Sequence, residues 1–153
     1  MAWTPKKTKY KFNHCPKYEG SVKGNCQLHK GDFGLQASAG AYFSSRSLES
    51  TRRVISPLAR KYGWKLHWNV FPHWGKTKKP IGVRMGTGKG SIEEWVAVVK
   101  SGTIFLEIWI PREVNPLSKQ IQETKSEEVR QILKLASDKL PVKCKVVEKN
   151  QAD

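Results

Sequence analysis

The chain has 153 residues, of which 38% are hydrophobic, and its 28 lysine and arginine residues against 13 acidic ones give a formal net charge of +15. This length suits one domain that buries a single core without disulfide bonds. No stretch approaches the roughly eighteen apolar residues of a membrane span, so no membrane partner is expected, and the excess of positive charge predicts a polyanionic partner.

The excess positive charge lies in the first part of the chain. Residues 1–92 hold 18 basic and 3 acidic residues, whereas residues 93–153 hold 10 of each. A chain that needs charge only for solubility does not require this segregation, whereas a chain with one face on nucleic acid does.

Residues 1–31 contain seven lysines, interleaved with aromatic residues, and one acidic residue. Because they hold too few apolar residues to offset the entropy of ordering, they predict a basic, extended N-terminal arm before a single domain over residues 32–153. The arm can order on RNA, and the alternative is a disordered, soluble tail. His14-Cys15 and Cys26-x-x-His29 are ligand types for zinc but have poor spacing, so no metal or other cofactor is predicted.

A strand and a helix are predicted after the arm. Residues 33–41 alternate loosely, as is typical of a short strand. Apolar residues at helical spacing predict a helix over residues 48–62, with possible N-caps among residues 44–47 and basic side chains on its other faces. Pro57 interrupts this pattern, and because an interior proline costs about 3 kcal/mol, we expect a kink or a break near Ser56.

Residues 64–71 alternate in the pattern of a half-buried strand, and the two tryptophans share the apolar side, which places them in the core. His67 falls on the opposite side with Lys65. It is predicted to face the surface or RNA, because the nearby sequence offers no acidic or hydroxyl partner for a general base. Residues 72–79 form a cationic linker that is punctuated by proline and glycine.

Residues 80–95 read P-I-G-V-R-M-G-T-G-K-G-S-I-E-E-W, with Arg84 and Lys89 as the only charges before Glu93. Their glycine spacing fits neither the phosphate-binding loop of nucleotide hydrolases nor the dinucleotide fingerprint. We predict a mobile loop whose cationic side chains and backbone N–H groups meet nucleic-acid phosphates. The alternative is a solvated hairpin turn.

Two apolar runs follow the loop. Residues 95–99 read as a buried strand, and residues 103–109 form a second run that can pair with it as an antiparallel hairpin across residues 100–102. Such a hairpin would be the scaffold opposite the glycine-rich loop.

A second helix and a last strand are predicted near the end of the chain. Thr124-x-x-Glu127 reads as a capping box and predicts an amphipathic helix over residues 126–140, stopped by Pro141 and followed by a strand over residues 142–147. The elements together predict one α+β domain, with an antiparallel or mixed sheet that carries two helices.

The segment Arg84-Met85-Gly86-Thr87-Gly88-Lys89-Gly90, with an aromatic residue at position 95, resembles the signature of the universal large-ribosomal-subunit protein L16/L10e family. Residues 60–72 match a second family pattern, a basic helix that runs into glycine, tryptophan and an alternating strand ending in Phe-Pro. Residues 5–10 are similar to the family's N-terminal tail. The chain departs from the family at Pro57 and from the bacterial pattern over residues 111–124, which we interpret as an insertion.

The resemblance implies an α/β-hammerhead architecture and a structural constituent of the large ribosomal subunit rather than an enzyme. It also implies contacts with large-subunit rRNA near the peptidyl-transferase centre, with neighbouring ribosomal proteins, and with tRNA at the aminoacyl and peptidyl sites through residues 84–90. Charge pattern and resemblance together predict rRNA binding by Lys6, Lys7, Lys9, Arg52, Arg53, Arg60, Lys61, Lys65, Lys76, Lys78 and Lys79.

Two other functions are open to a basic chain of this kind: a free-standing RNA chaperone and a nucleic-acid-processing enzyme. The enzyme is disfavoured because Glu93 and Glu94, the acidic residues closest to the loop, are adjacent and would point to opposite faces of a strand. The six tryptophans and the departures from the family favour a mitochondrial ribosome, with plastid and bacterial ribosomes as alternatives. The absence of a transit peptide fits synthesis inside the organelle, and three cysteines without framework spacing fit a reducing compartment.

Overall fold

The computed structural model describes residues 3–10, 13–111 and 118–149, with residues 118–125 described by their backbone alone. Within these ranges the chain forms two helices and seven strands: β1 Phe33–Ala37, β2 Ala41–Ser44, α1 Ser45–Lys61, β3 Lys65–Trp68, β4 Trp74–Lys78, β5 Ser91–Val99, β6 Ile104–Trp109, α2 Ser118–Ser137 and β7 Cys144–Glu148. Neither helix is long and apolar enough, within the described residues, to cross a bilayer.

The strands form two antiparallel sheets. One contains β3, β6, β1 and β7 in that order, and the other contains β2, β5 and β4. The sheets share one core, in which Phe43 of β2 and Phe105 of β6 pack edge to face with their ring centroids 5.3 Å apart. The α+β class predicted from the sequence is confirmed, and the hammerhead arrangement stays a prediction.

The predicted hairpin between residues 95–99 and 103–109 is wrong. β5 pairs with β2 and β4, whereas β6 pairs with β1 and β3, so residues 100–102 carry the chain from one sheet to the other. Both runs are buried strands, as their apolar character indicated. Apolar character reports burial, but it does not select the strand with which a segment pairs.

Two further strand predictions need correction. The strand expected over residues 33–41 is present as β1 but ends at Ala37, and Ala41 already begins β2, which lies in the other sheet. The cationic linker over residues 72–79 contains β4, which pairs with β5. A register shift opposite Lys76 and Thr77 leaves Glu93 of β5 without a paired residue, and Gly75 leaves room for Ile92 of β5 that an added Cβ would occupy. The sequence of β4 has Trp74 as its single apolar side chain, so it lacks the period-two signal of a strand.

α1 begins earlier than its apolar pattern, because Ser44 caps it: the Ser44 Oγ accepts a hydrogen bond from the Ser47 N–H at 3.0 Å. Of the two outcomes expected at Pro57, the break near Ser56 is wrong, since the helix continues through the exposed Pro57 to Lys61, and the kink stays a prediction. Packing on both sides of the proline holds the helix together despite the missing N–H. The buried face consists of Leu48, Thr51, Ile55 and Ala59.

α2 begins at Ser118, before the predicted start, and ends at Ser137. The capping box predicted at Thr124 and Glu127 is wrong, because position 124 lies inside the helix and not at its start. The apolar spacing was correct, and it buries Val129, Ile132, Leu133 and Ala136. Of the interpreted insertion, residues 112–117 lie outside the described residues and residues 118–124 belong to α2.

Residues 3–10 and 13–31 contain neither helix nor strand, as expected of an extended arm, but they contact the body of the protein. Trp3 is only 5% exposed and packs in the core, and the Asn25 carbonyl accepts a hydrogen bond from the first N–H of β6 at 2.8 Å. Residues 11 and 12 lie outside the described ranges. The domain boundary at residue 31 stays a prediction.

Candidate nucleic-acid interface

The glycine-rich segment forms the loop of a β-hairpin. β4 and β5 pair antiparallel, and residues 79–90 join them. Residues 81–89 are all exposed, including Arg84 and Lys89. Apolar side chains are exposed here as well, since Met85 is 95% exposed. The hairpin connection is thus established, and the mobility of the loop stays a prediction.

The loop turns through a run of positive backbone φ angles. Gly82, Gly86 and Gly88 have φ of 86°, 101° and 89°, and Thr87 between them has φ of 55°. Glycine adopts these angles without the steric cost that a Cβ imposes. The Lys79 ammonium donates a hydrogen bond to the Gly86 carbonyl across the loop. This predicted rRNA-binding lysine therefore also holds the loop together.

The loop is anchored on β5. Gly90 lies directly against the backbone of β4, where an added Cβ would clash with the carbonyl group of Lys78. Farther along β5, Val96, Ala97 and Val99 are buried. An exposed, cationic tip therefore extends from a strand that is fixed in the core.

The hairpin carries further positive charge on β4, where Lys76 and Lys78 are exposed. Lys78 Nζ lies 3.5 Å from Glu93 Oε1, and Lys76 stands opposite Glu94 in the strand register. An exposed ion pair of this kind contributes at most about 1 kcal/mol, so a phosphate can readily exchange for the carboxylate. With Lys79, Arg84 and Lys89 of the loop, the structure brings five predicted RNA-binding side chains onto one hairpin.

α1 holds four predicted RNA-binding residues in two settings. Arg52 Nη2 and Arg53 Nε lie 2.6 and 3.3 Å from Glu49 Oε1. The hydrogen bond from Arg52 is the largest influence on this carboxyl group, and with that of Arg53 it lowers the pKa of Glu49 to about 2 against the opposing effect of burial. Arg60 and Lys61 are exposed in the last turn, where positive charge complements the helix dipole. The end of α1 is therefore its more electropositive part.

The lysines predicted to bind rRNA in the arm, Lys6, Lys7 and Lys9, are all exposed. These lysines come shortly after Trp3 in the chain. The Trp3 indole packs edge to face on Trp68, with ring centroids 5.2 Å apart. The start of the arm is thereby held on the body.

Lys65 of β3 places its ammonium 5.1 Å from the ring centroid of Trp109 on β6. His67, two positions farther along β3, is half-buried, and its Nε2 lies 3.0 Å from Lys30 Nζ. Sequence reasoning did not include Lys30 or Trp109 among the site residues. They are distant in sequence from β3, and only the strand pairing and the path of the arm bring them together.

Glu107 is a fully buried carboxylate on β6. Its Oε2 accepts hydrogen bonds from the backbone N–H groups of His29, Lys30 and Gly31 at 3.2, 2.7 and 2.8 Å, and its Oε1 accepts one from Asn69 Nδ2 at 2.6 Å. Burial by itself would raise the pKa of Glu107, but these four hydrogen bonds outweigh it and lower the pKa below its usual value. Glu107 thus ties the end of the arm to the four-stranded sheet.

The remaining candidates for chemistry do not assemble into a site. Glu93 and Glu94 are adjacent in β5 at a point where the pairing with β4 skips Glu93, so simple alternation does not separate them onto two faces. Glu93 instead pairs with Lys78, and Glu94 stands opposite Lys76. Within the described ranges, no group of three or more His, Cys, Asp or Glu side chains could hold a metal ion.

Comparison with known proteins identifies the family. A profile of the family described as ribosomal protein L16p/L10e matches residues 5–147. The proteins named large ribosomal subunit protein uL16 from Spiroplasma citri, Malacoplasma penetrans (strain HF-2) and Macrococcus caseolyticus (strain JCSC5402) are 44%, 46% and 43% identical to the chain. Each alignment covers 96% of this chain and, in the same order, 97%, 95% and 92% of the relative.

These relatives are bacterial and do not favour the mitochondrial origin expected from the tryptophan content. The family resemblance of residues 84–90 and 60–72 is confirmed over nearly the full chain. The chain belongs to the ribosomal protein L16p/L10e family, whose members are structural proteins and not enzymes.

Proposed function

We propose that this protein binds large-subunit rRNA through its basic surfaces and that its glycine-rich loop faces tRNA near the peptidyl-transferase centre and the aminoacyl site. Its family membership supports a structural role in the large ribosomal subunit, and its relatives carry that subunit in their names. The observation that carries the proposal is the hairpin whose exposed tip presents Arg84 and Lys89 from a buried strand.

The exposed tip combines positive charge with apolar atoms. Ile81 is 100% exposed, Met85 is 95% exposed and Val83 between them is 55% exposed, and a group of exposed apolar side chains of this kind is typical of an interaction site. The flanking glycines leave backbone N–H and C=O groups open to a close approach. A ribose-phosphate backbone offers both anionic oxygens and apolar sugar faces, so it satisfies both features of the tip.

The mechanism is electrostatic positioning. Each lysine or arginine that neutralises a phosphate releases a condensed counterion, which makes binding favourable and sensitive to salt. Arg60 and Lys61 at the end of α1, and Lys76 and Lys78 on β4, are exposed for such contacts. Arg52 and Arg53 contribute less, because Glu49 already offsets part of their charge.

The bacterial relatives favour a bacterial ribosome over a mitochondrial or plastid one. Isolating ribosomes from the source organism and detecting the chain in the large subunit tests this origin directly.

The tRNA-facing role is tested with the double variant Arg84→Ala/Lys89→Ala in large subunits reconstituted without the native protein. The variant should incorporate normally and keep its fold, because both side chains are exposed. The rate of tRNA accommodation should fall about tenfold, since two charge-assisted contacts are lost.

The matched control is Lys134→Ala/Lys139→Ala, which removes two exposed charges near the end of α2 and should leave accommodation unchanged. Equal accommodation rates for the loop variant and the native protein would contradict the tRNA-facing role. Failure of the native chain to enter the subunit would contradict the ribosomal role as a whole.

A further inference from the structure

A cleft of about 410 Å³ opens between β3, β6 and the end of the arm. Its volume lies within the roughly 300–1,000 Å³ that is typical of small-ligand sites. The cleft is not part of the glycine-rich hairpin. The residues that bear on its function are Lys30, Gly31, Lys65, His67, Glu107 and Trp109.

Strand pairing builds two walls of the cleft. Lys65 stands opposite Trp109 in the register of β3 and β6, and His67 stands opposite Glu107. Because directly opposed residues project to the same side of a sheet, and because residues two apart in a strand do so too, these four side chains share one face.

The arm builds the third wall. Gly31 approaches β6 so closely that an added Cβ would lie 2.8 Å from the Ile108 carbonyl oxygen. The three N–H groups of His29, Lys30 and Gly31 that bind Glu107 hold the segment in this position. The cleft is therefore a fixed feature of the fold and not a gap between independent segments.

The charge at the cleft is positive and accessible. The Lys30 ammonium lies 3.0 Å from His67 Nε2, and the Lys65 ammonium lies over the Trp109 ring. Both lysines are exposed. The one acidic group in the lining, Glu107, is buried, and both of its oxygens already accept hydrogen bonds from the protein. An incoming anion would therefore meet ammonium groups first.

Trp109 supplies an aromatic surface next to these cations. It is 38% exposed although it ends a strand that is otherwise buried. Aromatic faces beside basic side chains are the usual means by which proteins bind unpaired nucleotides. The Lys65 side chain is long and flexible, so a base that stacks on the indole can displace its ammonium toward the adjoining phosphate.

We propose that this cleft binds one unpaired nucleotide of RNA, with the base stacked on Trp109 and its phosphate held by Lys30 and Lys65. The proposal rests on the RNA-binding role proposed above and adds the kind of RNA and the place where it binds. Loops and bulges provide such nucleotides, whereas a continuous duplex keeps its bases stacked inside.

The test compares the affinity of the full-length protein for a short oligouridylate and for a blunt RNA duplex at two salt concentrations. Trp109→Ala should weaken oligouridylate binding about tenfold, since stacking on an aromatic side chain contributes about 1–3 kcal/mol per base. Its affinity for the duplex should change less than about twofold. Trp109→Phe, which keeps an aromatic face, should recover most of the lost affinity.

The lysines are tested with Lys30→Ala/Lys65→Ala against the control Lys143→Ala/Lys145→Ala, which removes two exposed charges at β7. The cleft variant should weaken oligouridylate binding more than the control does. An oligonucleotide with 5-iodouridine should also crosslink to Trp109 on irradiation. Unchanged unfolding midpoints show that the variants keep their fold.

Four results would overturn the proposal. If Trp109→Ala loses as much affinity for the duplex as for oligouridylate, the cleft does not select unpaired nucleotides. If the cleft variants keep the RNA affinity of the native protein but bind an acidic peptide more weakly, the cleft belongs to a protein partner. If the native protein and Trp109→Ala bind RNA with the same affinity and the same salt dependence, the cleft is rejected as a binding site but the RNA-binding role is not. If the native protein does not bind RNA at all, the RNA-binding role itself is rejected.

Discussion

The indole Nε1 of Trp3 donates a hydrogen bond to Glu49 Oε2 at 2.8 Å, which ties the start of the arm to α1. Arg52 also binds this carboxylate, at both of its oxygens. A basic arm and a basic helix therefore meet at a shared acidic residue. The arrangement places a carboxylate between two cationic segments that would otherwise repel each other.

The charge of Glu49 should make stability depend on pH. Hydrogen bonds from Arg52 above all lower the pKa of Glu49 from 4.5 to about 2, so its contribution is complete above the unfolded value and is lost as pH falls from 4.5 toward 2. Glu49→Gln should therefore lower the free energy of unfolding near pH 6 and approach the native protein near pH 2. Urea unfolding across this range measures the difference.

The control for Glu49 is Trp3→Phe, which removes the indole donor but leaves the Arg52 contact. This variant should keep most of the pH dependence of the native protein, because the hydrogen bond from Trp3 lowers the pKa of Glu49 less than the contacts of Arg52 and Arg53 do. A gap between native protein and Glu49→Gln that stays constant from pH 6 to pH 2 would argue against an ionised Glu49 as its source.

Glu107→Gln should destabilise the protein by about 2–3 kcal/mol, because an amide cannot accept all four hydrogen bonds that the buried carboxylate accepts from the arm and Asn69. Urea denaturation measures the loss, and faster amide exchange at residues 29–31 should accompany it. Glu93→Gln, at an exposed ion pair, should change stability by less than about 1 kcal/mol. Equal effects of the two substitutions would contradict the role of Glu107.

Pro57→Ala should stabilise the protein by up to about 3 kcal/mol. Position 57 is exposed inside α1, so alanine removes little buried surface and restores the N–H that the helix lacks there. Thermal unfolding measures the gain. Ser56→Ala, which restores no backbone donor, should gain no more than about 0.5 kcal/mol. A neutral or destabilising Pro57→Ala would show that the helix is adapted to the proline.

Gly90→Ala should destabilise the hairpin by about 1–3 kcal/mol, because the new Cβ would meet the backbone of Lys78. Amide exchange in β4 should increase while exchange in β7 stays the same. Gly24→Ala is the matched control, since an added Cβ there meets no atom within 4 Å. Similar exchange in β4 for both variants would contradict the close approach at Gly90.

The fold could be predicted from the sequence where a feature depends on neighbouring residues. The serines at positions 44–47 indicated the cap of α1, and apolar spacing identified the buried faces of both helices. Alternation likewise assigned Trp64 to the core, where it is buried. The β4 strand was missed because its local sequence has one apolar side chain, Trp74, and therefore no apolar alternation.

The candidate site also has one part that the sequence predicted and one part that it did not. The glycine run and its two cations were recognisable as a segment, and the structure added the exposed hairpin that presents them. The cleft could not be predicted, because Lys30, Lys65 and Trp109 lie far apart in the chain and none of them carries a local signal of the others.

The sequence by itself determined the family, the segregated positive charge, the α+β class and the faces that are buried, because composition, motif and periodicity are properties of residues close together in the chain. Only the tertiary structure decided that β5 and β6 belong to different sheets, that Glu107 binds the arm, and that a cationic cleft forms beside Trp109. These features depend on which distant segments come into contact, and that choice is made by the packing of the whole core.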